Sequence, residues 1–273
     1  MSKFVLKYST NGVWYGIFSN LDAKGVKHGI SSRLGGKSAH PFASLNLGLH
    51  TGDDAEAVWH NRQAFCQALQ LPVEKTITAE QVHGDVVQVV TDQDAGKGIR
   101  HYHESIRGTD ALITNVKNLP LMLFFADCVP VLIFDPVNRA IGISHAGWKG
   151  TVAKITQKTV LSMQQHYNTN PSDCIIGIGP SIGPCCYEVD ETVINKLKTN
   201  FSNWESLVIP NGSRWQLNLW EANRQQLREI GVQDTNITIS GVCTADNTAL
   251  FFSHRAEAGR TGRIGAVISL SDN

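Results

Sequence analysis

The stretch from Leu119 to Phe134 is the most apolar in the chain, interrupted by Asp127, Cys128 and Pro130. Unbroken helical amphipathicity is absent here, and the run is too short and too interrupted for a membrane span of about 20 residues. Short apolar runs bounded by turn formers read as buried strands. Leu121 to Phe125 and Val131 to Phe134 are therefore predicted strands, flanked by two more at Ala111 to Thr114 and Ala140 to Ser144. Val86 to Val90, Ile175 to Ile178, Ile237 to Ser240, Ala249 to Phe252 and Ile264 to Leu270 extend the strand list.

Helices are expected between these strands. Asp53 or Asp54 can cap a helix from about Ala55 to Leu69 that ends before Pro72. The spacing of Val152, Ile155, Val160 and Met163 predicts one helix from Gly150 to His166. Glu191 to Phe201 and Leu219 to Ile230 follow, the last with Gly231 as its stop. His28 to Asp54 reads as loop around Gly35-Gly36, and Asp92 to Gly108 as a polar surface loop. Helices and strands mix without strict alternation. The expected fold is one α/β domain over residues 1–273, a mixed-sheet α/β sandwich rather than a barrel or a doubly wound sheet.

Lys plus Arg equals Asp plus Glu, 24 each, so no basic field favours nucleic acid or an anionic membrane. Neither a GxGxxG after a strand, a GxxxxGK[ST] nor a GxSxG occurs, which removes support for dinucleotide, P-loop and serine-hydrolase chemistry. The six cysteines include no CxxC pair, and the N-terminus has no export signal. Reduced thiols and a cytoplasmic location are expected.

Three segments put a metal-type ligand among small neighbours at predicted strand ends: His83 before one strand, Cys128 after another, and His145 at the end of a third. Two imidazoles and a thiolate suit zinc and leave a fourth position open, the pattern of catalytic rather than structural sites. Each residue taken alone also fits a buried cysteine or a hydrogen-bonded core histidine. Asp127 would either orient a ligating histidine or stiffen the turn after the strand. Arg33, Asn46, Arg62 and Lys149, with Gly35 and Gly36, could bind an anion or could be surface charges beside a glycine turn. His101 and His103 share one side of an extended chain and read as exposed histidines or a metal pair, and Cys185-Cys186 as a turn.

The motifs Ser32–Ser38, Ser44–Gly48, Gly52–Asp54, Asn61-Arg62, Gln81–Gly84, Ala126–Pro130, His145–Gly150, Gly179–Val189 and Arg255–Arg263 occur in this order. Together they resemble the YfiH family, whose members are described as purine nucleoside phosphorylases and also as laccase-domain or polyphenol oxidase proteins. The resemblance spans about residues 29–266. It implies an α/β sandwich related to a group of cysteine hydrolases and a zinc site of His83, Cys128 and His145. It implies phosphorolysis of adenosine, inosine, guanosine and 5′-methylthioadenosine, and deamination of adenosine. Small purine nucleosides and phosphate would then be the partners, with no nucleic acid and no membrane. Three other readings stay open: a copper-dependent polyphenol oxidase, a metal-free hydrolase of peptidoglycan precursors with Cys128 as nucleophile and His83 or His145 as base, and a binding module that uses zinc only structurally.

Overall fold

A computed structural model describes residues 3–22 and 25–272. In chain order the strands are β1 (Phe4–Tyr8), β2 (Trp14–Phe18), β3 (Val26–Ser31), β4 (Ile77–Thr78), β5 (Val87–Val89), β6 (Ala111–Thr114), β7 (Leu121–Phe125) and β8 (Val129–Asp135). They continue with β9 (Ala140–Ala146), β10 (Ile175–Ile178), β11 (Glu188–Val189), β12 (Val208–Asn211), β13 (Arg214–Leu217), β14 (Ile237–Ile239) and β15 (Ile264–Leu270). The helices are α1 (Ala55–Ala68), α2 (Trp148–Val152), α3 (Ile155–Tyr167), α4 (Glu191–Asn200) and α5 (Leu219–Glu229).

One six-stranded sheet runs β1-β2-β3-β15-β7-β4, a second runs β14-β10-β8-β9-β6-β5, and a small third sheet runs β11-β13-β12. Both large sheets are mixed, with β4–β7, β5–β6 and β10–β14 parallel and their other pairs antiparallel. Alternation along the apolar run builds the layers. Leu121, Leu123 and Phe125 of β7 meet Leu132 and Phe134 of β8 between the two sheets. Met122 and Phe124 point the other way, onto Phe65 and Cys66 of α1. Val131 and Ile133 face α3 and α4 through Ile155, Val160, Met163 and Ile194. Strands covered on both faces must be apolar at every position, which explains the continuous run. The result is the expected mixed-sheet α/β sandwich.

Asp54 caps α1, its carboxylate accepting from Glu56 N and Ala57 N. The single helix expected over Gly150 to His166 is instead two helices. The break is at Lys154, whose φ of +64° is left-handed. Its ammonium lies 3.9 Å above the Phe201 ring and 2.8 Å from Glu229 Oε2, contacts that hold the side chain at the corner. Ala249 to Phe252 is not a strand. Leu250 N and Phe251 N both bond back to Asn247 O, and Phe251 and Phe252 fill the space between the sheets from a turn. The presumed loop from His28 begins as strand, since β3 runs to Ser31. No helix of the described residues is long and apolar enough to cross a membrane.

Candidate metal centre and its pocket

Cys128 lies in the short connection between β7 and β8, and His145 lies in β9 beside Pro130 of β8. The tight β7–β8 turn is made by Asp127, which sits at φ +81°. Its carboxylate accepts from Thr244 Oγ1 at 2.7 Å and from Arg255 N at 2.6 Å. Of the two roles open to Asp127, the structure assigns the stiffening of this turn. The carboxylate is not the partner of a ligating histidine.

That partner is Asp110, which sequence reasoning missed. Its Oδ1 lies 2.8 Å from His145 Nδ1, and its two oxygens accept from Val82 N, His83 N and Gly84 N. A carboxylate only accepts, so Nδ1 carries a proton and Nε2 is the nitrogen that would ligate an ion. Burial opposes the charge of Asp110, but the bond from His145, the His145 charge and the amides of Gly84 and Val82 hold its pKa below the ordinary value. The bonds from the Val82, His83 and Gly84 amides set the His83 loop, where His83 has φ +61°. Gln81 pins that loop to β7, exchanging two 2.8 Å bonds with the backbone of Phe124.

The ligand atoms of His83, Cys128 and His145 all lie within 4.8 Å of one another. Gly147 makes the close approach possible. A Cβ there would fall 2.9 Å from Cys128 Sγ and 3.2 Å from His83 Cδ2. Burial alone would push the Cys128 thiol up; the charge of His145 and hydrogen bonds from His145 and His83 outweigh it and bring it to about 6. Burial alone would push His145 down; the Cys128 charge and the bonds that His145 donates to Asp110 and Cys128 raise it to about 9. The two groups favour a thiolate–imidazolium pair, which a cation bound to sulfur and Nε2 would replace. One soft and two borderline donors, with one imidazole fixed in tautomer by a carboxylate, fit a zinc or copper ion.

The trio forms part of the wall of a cavity of about 530 Å³, within the roughly 300–1,000 Å³ typical of small-molecule sites. Phe124, Trp148, Tyr187 and Tyr102 give it aromatic walls, and Lys149, Arg255 and Arg263 bring cations to it. Lys149 is the one member of the expected anion group found there. Arg33, Asn46 and Arg62 do not line the cavity. Arg33 bonds to Ala43 O, Thr248 O and Glu257. Asn46 bonds to Thr51 and Asp53. Arg62 is fully buried, gives its protons to Leu47 O, Gly98 O and Ile99 O, and lies 4.4 Å over the Phe124 ring. Arg62 ties α1 to the loop, Arg33 ties the loop to the 248–257 segment, and Asn46 braces the loop internally, so the anion group expected from sequence is not assembled at the cavity. Arg255 and Arg263, more than 100 residues beyond His145 in sequence, were missed because nothing local links them to it. His101 and His103 stack at 5.7 Å, and among the described residues no third metal-type ligand joins them.

A family model described as multi-copper polyphenol oxidoreductase laccase matches residues 27–271. A relative from Geobacillus stearothermophilus named purine nucleoside phosphorylase YlmD is 42% identical over 89% of this chain and 90% of its own length. One from Bacteroides thetaiotaomicron, named purine nucleoside phosphorylase, is 33% identical over 88% and 89%. The crystal structure of the Geobacillus YlmD superposes with a TM-score of 0.93 at 38% identity, covering 98% of this chain and 100% of that one. That of Bacillus licheniformis YfiH superposes with a TM-score of 0.88 at 38% identity, covering 92% and 98%. With the fold and nearly the whole length of the sequence matched, this chain belongs to the laccase-like YfiH family.

Proposed function

We propose that this protein is a zinc-dependent purine nucleoside phosphorylase with adenosine deaminase activity. Its substrates would be adenosine, inosine, guanosine and 5′-methylthioadenosine, with phosphate as co-substrate. The observation that carries the reading is the coincidence of the Cys/His/His trio, aromatic walls and three cationic side chains in one cavity of small-molecule size. The names of the relatives point the same way.

In phosphorolysis a phosphate oxygen bonds to C1′ as the C1′–N9 bond breaks, and the purine leaves with the electron pair and takes a proton. Lys149, Arg255 and Arg263 would hold the phosphate, because guanidinium and ammonium groups supply charge-assisted donors to its oxygens. The aromatic walls would take the base by stacking and exclude water. His83, Cys128 and His145 would hold the zinc, which when bound supplies a Lewis acid and acidifies water. Asp110 keeps His145 oriented for that task. Deamination exchanges the 6-amino group of the purine for the oxygen of water and releases ammonia. A reducing compartment such as the cytoplasm would keep the free cysteines reduced.

The test is a phosphate-dependent assay on adenosine and inosine with products resolved, comparing wild type with Cys128→Ala and measuring metal content. Loss of both base release and metal in the variant is expected. Equal activity in the two proteins overturns the reading. A second reading rests on the Cys128–His145 pair, which is also that of a thiol nucleophile with its base; hydrolysis that persists after exhaustive chelation would favour it. Copper in the purified protein, with phenol oxidation lost on its removal, would favour an oxidase.

A further inference from the structure

A second cluster of metal-type ligands lies outside the pocket. The sulfur atoms of Cys185, Cys186 and Cys243 all fall within 4.8 Å of one another, and none of the three residues lines the cavity. Two chain segments make it. Gly183 to Tyr187 forms a helical turn, with Cys186 N and Tyr187 N both bonded to Gly183 O. Alongside it runs the segment of Cys243, tied by Ser181 N to Val242 O and Thr244 N to Ser181 O.

Three features suit this cluster to a cation. Gly183 N donates to Cys243 Sγ at 3.2 Å, an interaction that favours a sulfur carrying negative charge. The absence of a side chain at Gly183 keeps the cradle open, for a Cβ there would lie 3.3 Å from Cys185 Sγ and 3.1 Å from Cys243 Cβ. Cys243 is buried while Cys185 is exposed, so an ion has an entry path and a fixed floor. Adjacent cysteines such as Cys185 and Cys186 are poorly placed to bridge each other, which leaves both thiols available.

We propose that Cys185, Cys186 and Cys243 form a second metal site, a trithiolate cradle for a thiophilic d10 cation, cuprous copper or zinc. Sulfurs of a tetrahedral zinc site are about 3.8 Å apart for Zn–S bonds of about 2.3 Å, so closure needs movements of an ångström or less. All-sulfur ligation selects cuprous copper and zinc over the hard cations. Binding breaks three S–H bonds, forms three metal–sulfur bonds and releases three protons to buffer, with no change of oxidation state. The site goes beyond the phosphorylase reading and does not depend on it. A bound ion would fix the turn that carries Tyr187 into the pocket wall.

The experiment is titration of reduced, metal-stripped protein with cuprous ion against a chromophoric cuprous chelator, and separately with zinc against a zinc indicator. Wild type, Cys185→Ser, Cys185→Ser/Cys243→Ser and Cys128→Ala are compared. Cys185→Ser changes an exposed residue, so it tests the site even where the double variant folds poorly. The expected result is that Cys185→Ser binds one equivalent less than wild type, while Cys128→Ala loses a different equivalent and keeps this one. The ion should also slow alkylation of Cys185 at least about tenfold in both wild type and Cys128→Ala. The arm that shows the loss identifies the cation. Equal stoichiometry in wild type and Cys185→Ser with both ions, and a Cys185 alkylation rate that neither ion changes, would overturn the proposal.

Discussion

Asp110 and His145 meet twice: the carboxylate accepts a hydrogen bond from the imidazole Nδ1–H at 2.8 Å, and the Asp110 carbonyl accepts the His145 backbone N–H, also at 2.8 Å. The first contact fixes the tautomer and the second fixes the strand beneath it. The carboxylate also gathers the amides of Val82, His83 and Gly84, so one side chain positions two of the three candidate ligands. Asp110→Asn keeps the volume but offers one accepting oxygen, and its amide can present a donor to Nδ1. Metal affinity should fall about 10- to 100-fold, the usual cost of losing a carboxylate behind a ligating histidine. Competition with a chelator of known affinity measures it; an unchanged affinity would remove Asp110 from this role.

Gly147→Ala tests the crowding from the other side. The added methyl would reach 2.9 Å from Cys128 Sγ, closer than real Cβ contacts allow, and must displace the sulfur or the His83 ring. Ligand geometry held to about 0.5 Å is what a preorganised site needs. The variant should therefore melt close to wild type in the metal-free state yet bind the ion at least about tenfold more weakly. Equal binding would show that the trio has room to spare.

How much of this was legible in the sequence depends on how local each cause is. The bounds of β6, β7 and β10 match the apolar runs residue for residue, and Asp54 announces α1, because burial and capping act within a few residues. The three candidate ligands stood out as a Cys and two His beside strand ends. The corner at Lys154 did not, because a left-handed lysine is held there by Phe201 and Glu229, far along the chain. Asp110 was hidden for the same reason, its partner being 35 residues away. The hairpin of β1 and β2 left only its Asn11-Gly12 turn as a signal, since β1 is mostly exposed and carries little apolar alternation. Arg62 was misread because arginine is rarely buried, and no sequence pattern marks the exception.

That exception is itself testable. Arg62 saturates the carbonyls of Leu47, Gly98 and Ile99 from inside the protein. Arg62→Met leaves them without a donor, at about 1–3 kcal/mol for each buried group left unpaired. A loss of at least about 3 kcal/mol in urea unfolding is expected, and Arg62→Lys should recover only part of it because a point charge cannot span the fork. A midpoint within error of wild type would contradict the scaffold role.

Arg255 offers a cleaner probe of the anion site than Arg33 or Arg62. Its backbone N–H bonds to Asp127, which survives substitution, while its guanidinium lies 5.2 Å over the Tyr187 ring beside the cavity. Arg255→Gln should raise the KM for phosphate about tenfold or more while leaving the KM for nucleoside within about threefold, since a charge-assisted bond contributes roughly 1.5–3 kcal/mol. A rise in nucleoside KM alone would place the phosphate elsewhere.

His28 is a pH-sensitive group outside the candidate metal centre. It is buried in β3, and its Nε2 accepts the backbone N–H of Phe18 at 2.8 Å. Burial lowers its pKa from 6.5 to about 4; Asp22 opposes that and Lys7 adds to it. The ring is therefore neutral in the folded protein, and between these values the unfolded chain binds more protons. Stability must rise with pH across that interval. The contribution is complete above pH 6.5 and is lost as pH falls toward 4, by up to about 3 kcal/mol at 1.36 kcal/mol per pKa unit. Carboxylates titrate over the same range, so the measurement is the difference between wild type and His28→Gln in chemical denaturation from pH 4 to pH 7.5. Wild type should lose its advantage over the variant as pH falls. A difference that stays constant over the interval would mean that His28 keeps its ordinary pKa in the fold.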